Sequence, residues 1–187
     1  MEELKYVDFC KLIGEANFNA EITNTRELAK QKILSSNMHY KVLNTDDTVL
    51  KILKKIDSNT LTLAENKEKW KVGWGHHLLK YEESGGKIGL TPQFQAVCGI
   101  NRMCGQYIQP ESPTFETDFY SALHYWTFEK YFSGIDTVFE FGCGTGEKLK
   151  LFSDVFYGTL LHGLDWVKES ADIVDALKKY TNINVHG

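Results

Sequence analysis

With 187 residues, 42% of them apolar and 13% aromatic, the chain is long enough for one domain with a substantial appendage and can bury a proper core. Its net charge of -4 lacks the basic balance that a general nucleic-acid binder needs. No apolar run approaches the roughly 20 residues that span a bilayer. The opening Met1-Glu2-Glu3-Leu4-Lys5 lacks the basic-then-apolar layout of a secretion signal, so cytoplasmic residence is expected.

The first half reads as helices. Asn24 followed by Glu27 suits a cap ahead of Leu28, Ile33 and Leu34. Asp46 or Asp47 suits a cap for a second helix whose inward face is Val49, Ile52, Leu53 and Ile56. Trp70, Trp74, Leu78, Leu79 and Tyr81 predict a third apolar face, which Gly73 and Gly75 threaten to interrupt. Glu83-Ser84-Gly85-Gly86 reads as a loop. After Pro92, the spacing of Phe94, Val97, Cys98, Ile100 and Met103 predicts a further helix.

Gln109-Pro110-Glu111-Ser112-Pro113 marks the best internal boundary, because two close prolines stop a helix and stiffen a connection. It divides a helical region, 1–110, from a second part, 111–187. An aromatic helix from Phe115 to Phe132 follows, with apolar residues around most of its circumference, so burial on more than one side is expected. Next come a strand (Thr137 to Phe141), a helix (Glu147 to Phe156, with Leu149, Phe152 and Val155 inward), and a strand (Thr159 to Leu164). A helix from Lys168 to Tyr180 carries Ala171, Val174 and Leu177 on one face, and a third strand begins at Ile183. That alternation predicts an α/β chain: a helical N-terminal region followed by the first half of a Rossmann-like, doubly wound parallel sheet.

The chemistry concentrates at the first of those strands. Gly142, Gly144 and Gly146 alternate at its end: the first for a sharp turn, the second for close approach of a ligand, the third for a helix starting near the sheet. Asp165 ends the next strand, where a carboxylate can accept both hydroxyls of a ribose. The dinucleotide fingerprint would need glycine at position 147. Glu147 stands there instead, and a carboxylate opening a helix repels a pyrophosphate. The turn therefore suits a nucleoside without phosphates.

The string Glu140-Phe141-Gly142-Cys143-Gly144-Thr145-Gly146 with the distal Asp165 resembles the first two cofactor motifs of class I S-adenosylmethionine-dependent methyltransferases. The likeness covers only the part of the chain from residue 137 onward. It implies that S-adenosylmethionine is the cofactor and that Glu140 lies near its ammonium group. Gly142, Cys143, Gly144 and Gly146 then form the turn around the methionine tail and ribose, and Asp165 holds the ribose hydroxyls. Trp166 offers a flat surface beside it, and Tyr120 and Trp126 are candidates to cover the sulfonium. The overall plan resembles methyltransferases acting on small molecules, among them ones associated with sugar or surface-polysaccharide biosynthesis.

Each of these residues also has a plain structural role open to it. Glu140 can bond a neighbouring amide, Asp165 can cap the following helix, Cys143 can be a small filler, and His162 can simply pack. Cys10, Cys98, Cys104 and Cys143 form no C-x-x-C pair, and adjacent His76 and His77 diverge, so no metal site is expected. No residue is assigned as catalytic; a base would have to come from His76, His77 or His124. The alternatives are an NAD-binding oxidoreductase and a non-catalytic interaction module. A methyltransferase sheet has about seven strands, so the chain reads as the truncated N-terminal part of a longer enzyme. Alternatively, a second copy covers the bare sheet, making a homo-oligomer.

Overall fold

A computed structural model describes residues 1–15, 24–58, 63–91, 99–181 and 183–187. In chain order the first elements are β1 (Glu2–Glu3), α1 (Tyr6–Leu12), α2 (Asn24–Ser35), β2 (His39–Val42), α3 (Thr45–Ser58) and α4 (Leu63–Glu83). A hairpin of β3 (Asn101–Met103) and β4 (Gln106–Pro110) leads to α5 (Phe115–Tyr131). Then come β5 (Thr137–Phe141), α6 (Glu147–Val155), β6 (Leu160–Leu164), α7 (Lys168–Tyr180) and β7 (Val185–His186). Among the described residues no helix is long and apolar enough to cross a membrane.

The chain forms two compact units, one from 1–60 and 96–126, the other from 61–95 and 127–187. The break expected after Pro110 falls inside the first unit, and α5 passes from one unit into the other after Trp126.

The first unit is not purely helical. It contains a four-stranded antiparallel sheet in the order β1-β2-β4-β3. Gln109 and Pro110, expected to begin a stiff connection, instead end β4, a strand hydrogen-bonded on both sides, with Pro110 opposite Tyr40. Asn101–Met103 is a strand as well, not the end of a helix, and Ile100 before it is not helical; the earlier part of that expected helix, with Phe94, Val97 and Cys98, lies outside the described residues. The physical reason is the turn. Cys104 and Gly105 both take positive φ, 51° and 79°, the two-residue geometry that matches the twist of a hairpin.

Two helix expectations in this unit also shift. The cap of α3 is Asn44, whose Oδ1 accepts the Asp47 amide at 2.8 Å, so Asp46 and Asp47 lie in the first turn. Of the stripe expected to face inward, Val49, Leu53 and Ile56 are 50%, 53% and 62% exposed and Ile52 is partly buried. The first turn of α5 is held from within the unit, where buried Asp118 pairs with Lys32 Nζ at 2.7 Å.

In the second unit, β5, β6 and β7 form a parallel sheet in sequence order, joined by α6 and α7. This α/β arrangement is compatible with part of a Rossmann-like fold. Leu161 and Val185 point to the side where Leu149, Phe152, Val174 and Leu177 pack. Phe152 also stacks edge-on with Phe128 and Phe132, at 4.9 and 5.8 Å between ring centres. α4 runs unbroken through Gly73 and Gly75 and packs on α7, where Glu169 Cγ would sit only 3.7 Å from a Cβ at Gly75. The opposite face of the sheet holds Phe139, His162 and His186 as a stack, with Phe139 57% and Phe141 80% exposed. His162 therefore packs, as expected, but against rings on a bare face.

Candidate functional site

The turn after β5 and the end of β6 meet, because the two strands pair in parallel with Phe141 opposite Leu164. Parallel pairing brings both carboxyl ends to one edge, where open α/β sheets bind ligands. Gly142, Gly144 and Gly146 adopt φ of 71°, 56° and 72°, a region costly for any residue with a Cβ. Asp165 closes on this turn: its Oδ2 accepts the Gly144 amide at 3.1 Å and the Ser170 hydroxyl at 2.9 Å, and its Oδ1 accepts the Val167 amide at 3.0 Å. Ser170 also contacts the Gly144 carbonyl, so its single proton serves one of two acceptors. Asp165 thus ties strand, turn and the entry to α7 together, although the N-cap of α7 is Val167 and the helix has no side-chain cap. A carboxylate has about four acceptor positions, so Oδ1 keeps one for a ligand hydroxyl.

The turn's amides are engaged by the chain itself. Those of Gly142 and Cys143 donate to the Leu164 carbonyl at 2.6 and 3.3 Å, and that of Gly146 donates to the Cys143 carbonyl at 2.8 Å. With Gly144 bound to Asp165, the glycine turn presents none of these four amides to an anion. A phosphate nest needs such amides directed outward.

A cavity of about 270 Å³ opens here, walled by Trp70, Trp74 and Trp166 together with Gly142 to Thr145, Glu147, Lys148 and Asp165. Trp70 and Trp74 stack at 5.7 Å, one helical turn apart on α4. Sequence reasoning placed both on an apolar face but not at this site, although their spacing puts the two indoles on one side of a helix. Trp74 is buried, and its ring atoms Cη2 and Cζ2 would lie 3.3 and 3.4 Å from a Cβ at Gly144. The second glycine is therefore approached by the protein's own indole. Around Gly142 the space is open, with nothing within 4 Å of where a Cβ would stand. Trp166 is 59% exposed, with Lys67 Nζ 5.6 Å from its ring centre.

The remaining expected residues divide. Glu140 does not line this cavity, though its ion partner Lys148, 3.5 Å away, does. Its Oε2 is buried without a hydrogen-bond donor, and burial, opposed by Lys148, raises its carboxyl above the usual range. Tyr120 belongs to the other unit, half exposed, lining a separate cavity with Arg102, Glu116 and Phe119. Trp126, also in that unit, donates from Nε1 to Glu15 at 3.3 Å.

Because the folded state holds the Glu140 proton more tightly than the unfolded chain does, its contribution to stability fades as pH rises through the raised folded value. Glu140→Gln is expected to match the parent near pH 4 and to exceed it in stability at pH 7, the gap opening as pH rises. Urea unfolding at the two pH values checks this.

Cys143 is 4% exposed, with its thiol pushed up to about 11 chiefly by burial. It fills the space beside Gly163, where a Cβ would meet its Sγ at 2.9 Å. Iodoacetamide at about pH 8 is expected to label exposed Cys104 and to spare Cys10 and Cys143 until the chain unfolds, as peptide mass mapping reads directly. Among the described residues, no group of three or more His, Cys, Asp or Glu is arranged to hold a metal ion. Compared with known proteins, the chain matches no family model, no curated protein and no solved structure.

Proposed function

We propose that the glycine-turn cavity binds S-adenosylmethionine. The chain would then carry the cofactor-binding part of a methyltransferase acting on a small molecule, such as a sugar or a surface-polysaccharide precursor. The observation that carries this reading is the Asp165 carboxylate at the end of β6, bonded to the Gly144 amide and facing a cavity walled by three tryptophans. Engaged amides and Glu147 at the start of α6 both disfavour a pyrophosphate, which argues against a dinucleotide. A volume of about 270 Å³ suits a nucleoside better than two of them.

The residues fit the group. Asp165 Oδ1 retains an acceptor position for a ribose hydroxyl, and Trp166 offers an exposed face to the sugar or base. Aromatic faces favour a cationic sulfonium. The cofactor brings a methyl group already activated by that sulfonium, so the protein's part is alignment and exclusion of water.

Isothermal titration with S-adenosylhomocysteine, adenosine and NADH tests the proposal. Binding of the first, with about 2.7 kcal/mol of added stability at a hundredfold excess over Kd, supports it. Binding of NADH alone would put an oxidoreductase in its place. A second reading, a non-catalytic interaction module, is favoured by Trp74 lying over Gly144 and by the chain's own donors on Asp165. It predicts no response to any of the three ligands.

A further inference from the structure

A second cavity lies in the same unit, of about 520 Å³, between α4 and the segment 88–91. Gly73, His76, His77 and Lys80 line it from the helix, and Ile88, Gly89 and Thr91 from the segment. Spacing on α4 explains the grouping, since positions 73, 76, 77 and 80 share one face of a helix. None of these lining residues is acidic. His77 is only 7% exposed, and its Nε2 is buried without a hydrogen-bond partner. Leaving a polar ring atom in that state costs about 1–3 kcal/mol, which is the mark of a missing partner.

We propose that this cavity is a second small-molecule site, for a ligand bearing an anionic oxygen group, either carboxylate or phosphoryl. Lys80 provides positive charge at the rim, His76 a further ring donor, and His77 a buried donor from Nε2. Volume favours the assignment, being within the range of about 300–1,000 Å³ typical of ligand sites. Charge favours it as well. Beyond burial itself, the largest influence that keeps His77 neutral comes from the Lys80 ammonium, and an anion seated there would oppose it. Two carboxylates approach from other elements. Glu147 of α6 is held by the Thr91 hydroxyl at 2.8 Å, and Glu169 of α7 lies against Gly75. Glu147 is thereby turned toward a donor of its own, leaving Lys80 to the cavity. The proposal does not rest on a cofactor at the glycine turn, although Glu147, which accepts the Thr91 hydroxyl here, also lines that other cavity.

The test is titration of the whole chain with inorganic phosphate and, separately, with acetate, at constant ionic strength and about pH 6.5. Imidazole C–H signals of His76 and His77 are followed by NMR, with chloride as the reference salt. The expected result is a saturable shift of the His77 signal with at least one anion; the tighter of the two names the ligand class. Lys80→Met, a change at an exposed position, is expected to weaken binding by about tenfold or more. Lys178→Met, whose ammonium faces His186 instead, is expected to leave it unchanged. Either of two results overturns the proposal: no shift of His77 beyond that caused by chloride, or equal affinity in Lys80→Met.

Discussion

Gly146→Ala is expected to lower the stability of the fold by about 3 kcal/mol, from left-handed strain of about 1–2 kcal/mol and overpacking of about 1–3 kcal/mol. Gly146 has φ of 72°, and a Cβ there would stand 2.9 Å from Leu177 Cδ1 and 3.1 Å from Val174 Cγ2. Both neighbours are fully buried core residues of α7, so neither can move away cheaply. Gly142→Ala provides the comparison. Its φ of 71° is nearly the same, but nothing lies within 4 Å of the new Cβ. Only the strain remains, about 1–2 kcal/mol. Urea unfolding midpoints of the two variants separate the terms. Equal losses would mean that α6 does not start against α7 as closely as described.

Asp165→Ala is expected to cost about 3 kcal/mol and to abolish nucleoside binding, because it removes the acceptor for three donors at once. Val167 is 4% exposed and Ser170 fully buried, so water cannot readily replace the carboxylate at either. Ser170 can turn its proton to the Gly144 carbonyl, which limits the loss at that position. Asp165→Asn keeps one acceptor oxygen and sets an NH₂ against the remaining donor, so about half the loss is expected. Ser170→Ala leaves the ligand-facing Oδ1 in place, so its nucleoside affinity is expected to stay close to the parent's. Unfolding and S-adenosylhomocysteine titrations on the three variants check both effects. A fully stable Asp165→Ala chain would show that the carboxylate does not tie the turn down.

The sequence by itself determined the second unit from β5 onward. The elements β5, α6, β6 and α7 were legible to within a residue or so, and the reason is local. Their apolar positions repeat at the period of a strand or a helix, and glycine or a polar residue ends each one. The meeting of Asp165 with the glycine turn followed as well, since parallel pairing of consecutive strands allows no other arrangement of their ends.

Elsewhere, pairing and burial decided. Strands β1 to β4 are two to five residues long, too short for a local period to announce them; β1 with β2 and β2 with β4 also pair far along the chain. The stripe on α3 has the pattern of a buried face and is mostly exposed, because a period says which side is apolar and not what covers it. At the site, the sequence named glycines and an acid but could not reveal their partners. Only the packing of α4 on α7 brought Trp74 to Gly144, turned Trp70 toward the same cavity, and buried His77 without a partner. Those contacts join residues 70–77 to residues 142–173, a separation across which side-chain periodicity carries no information.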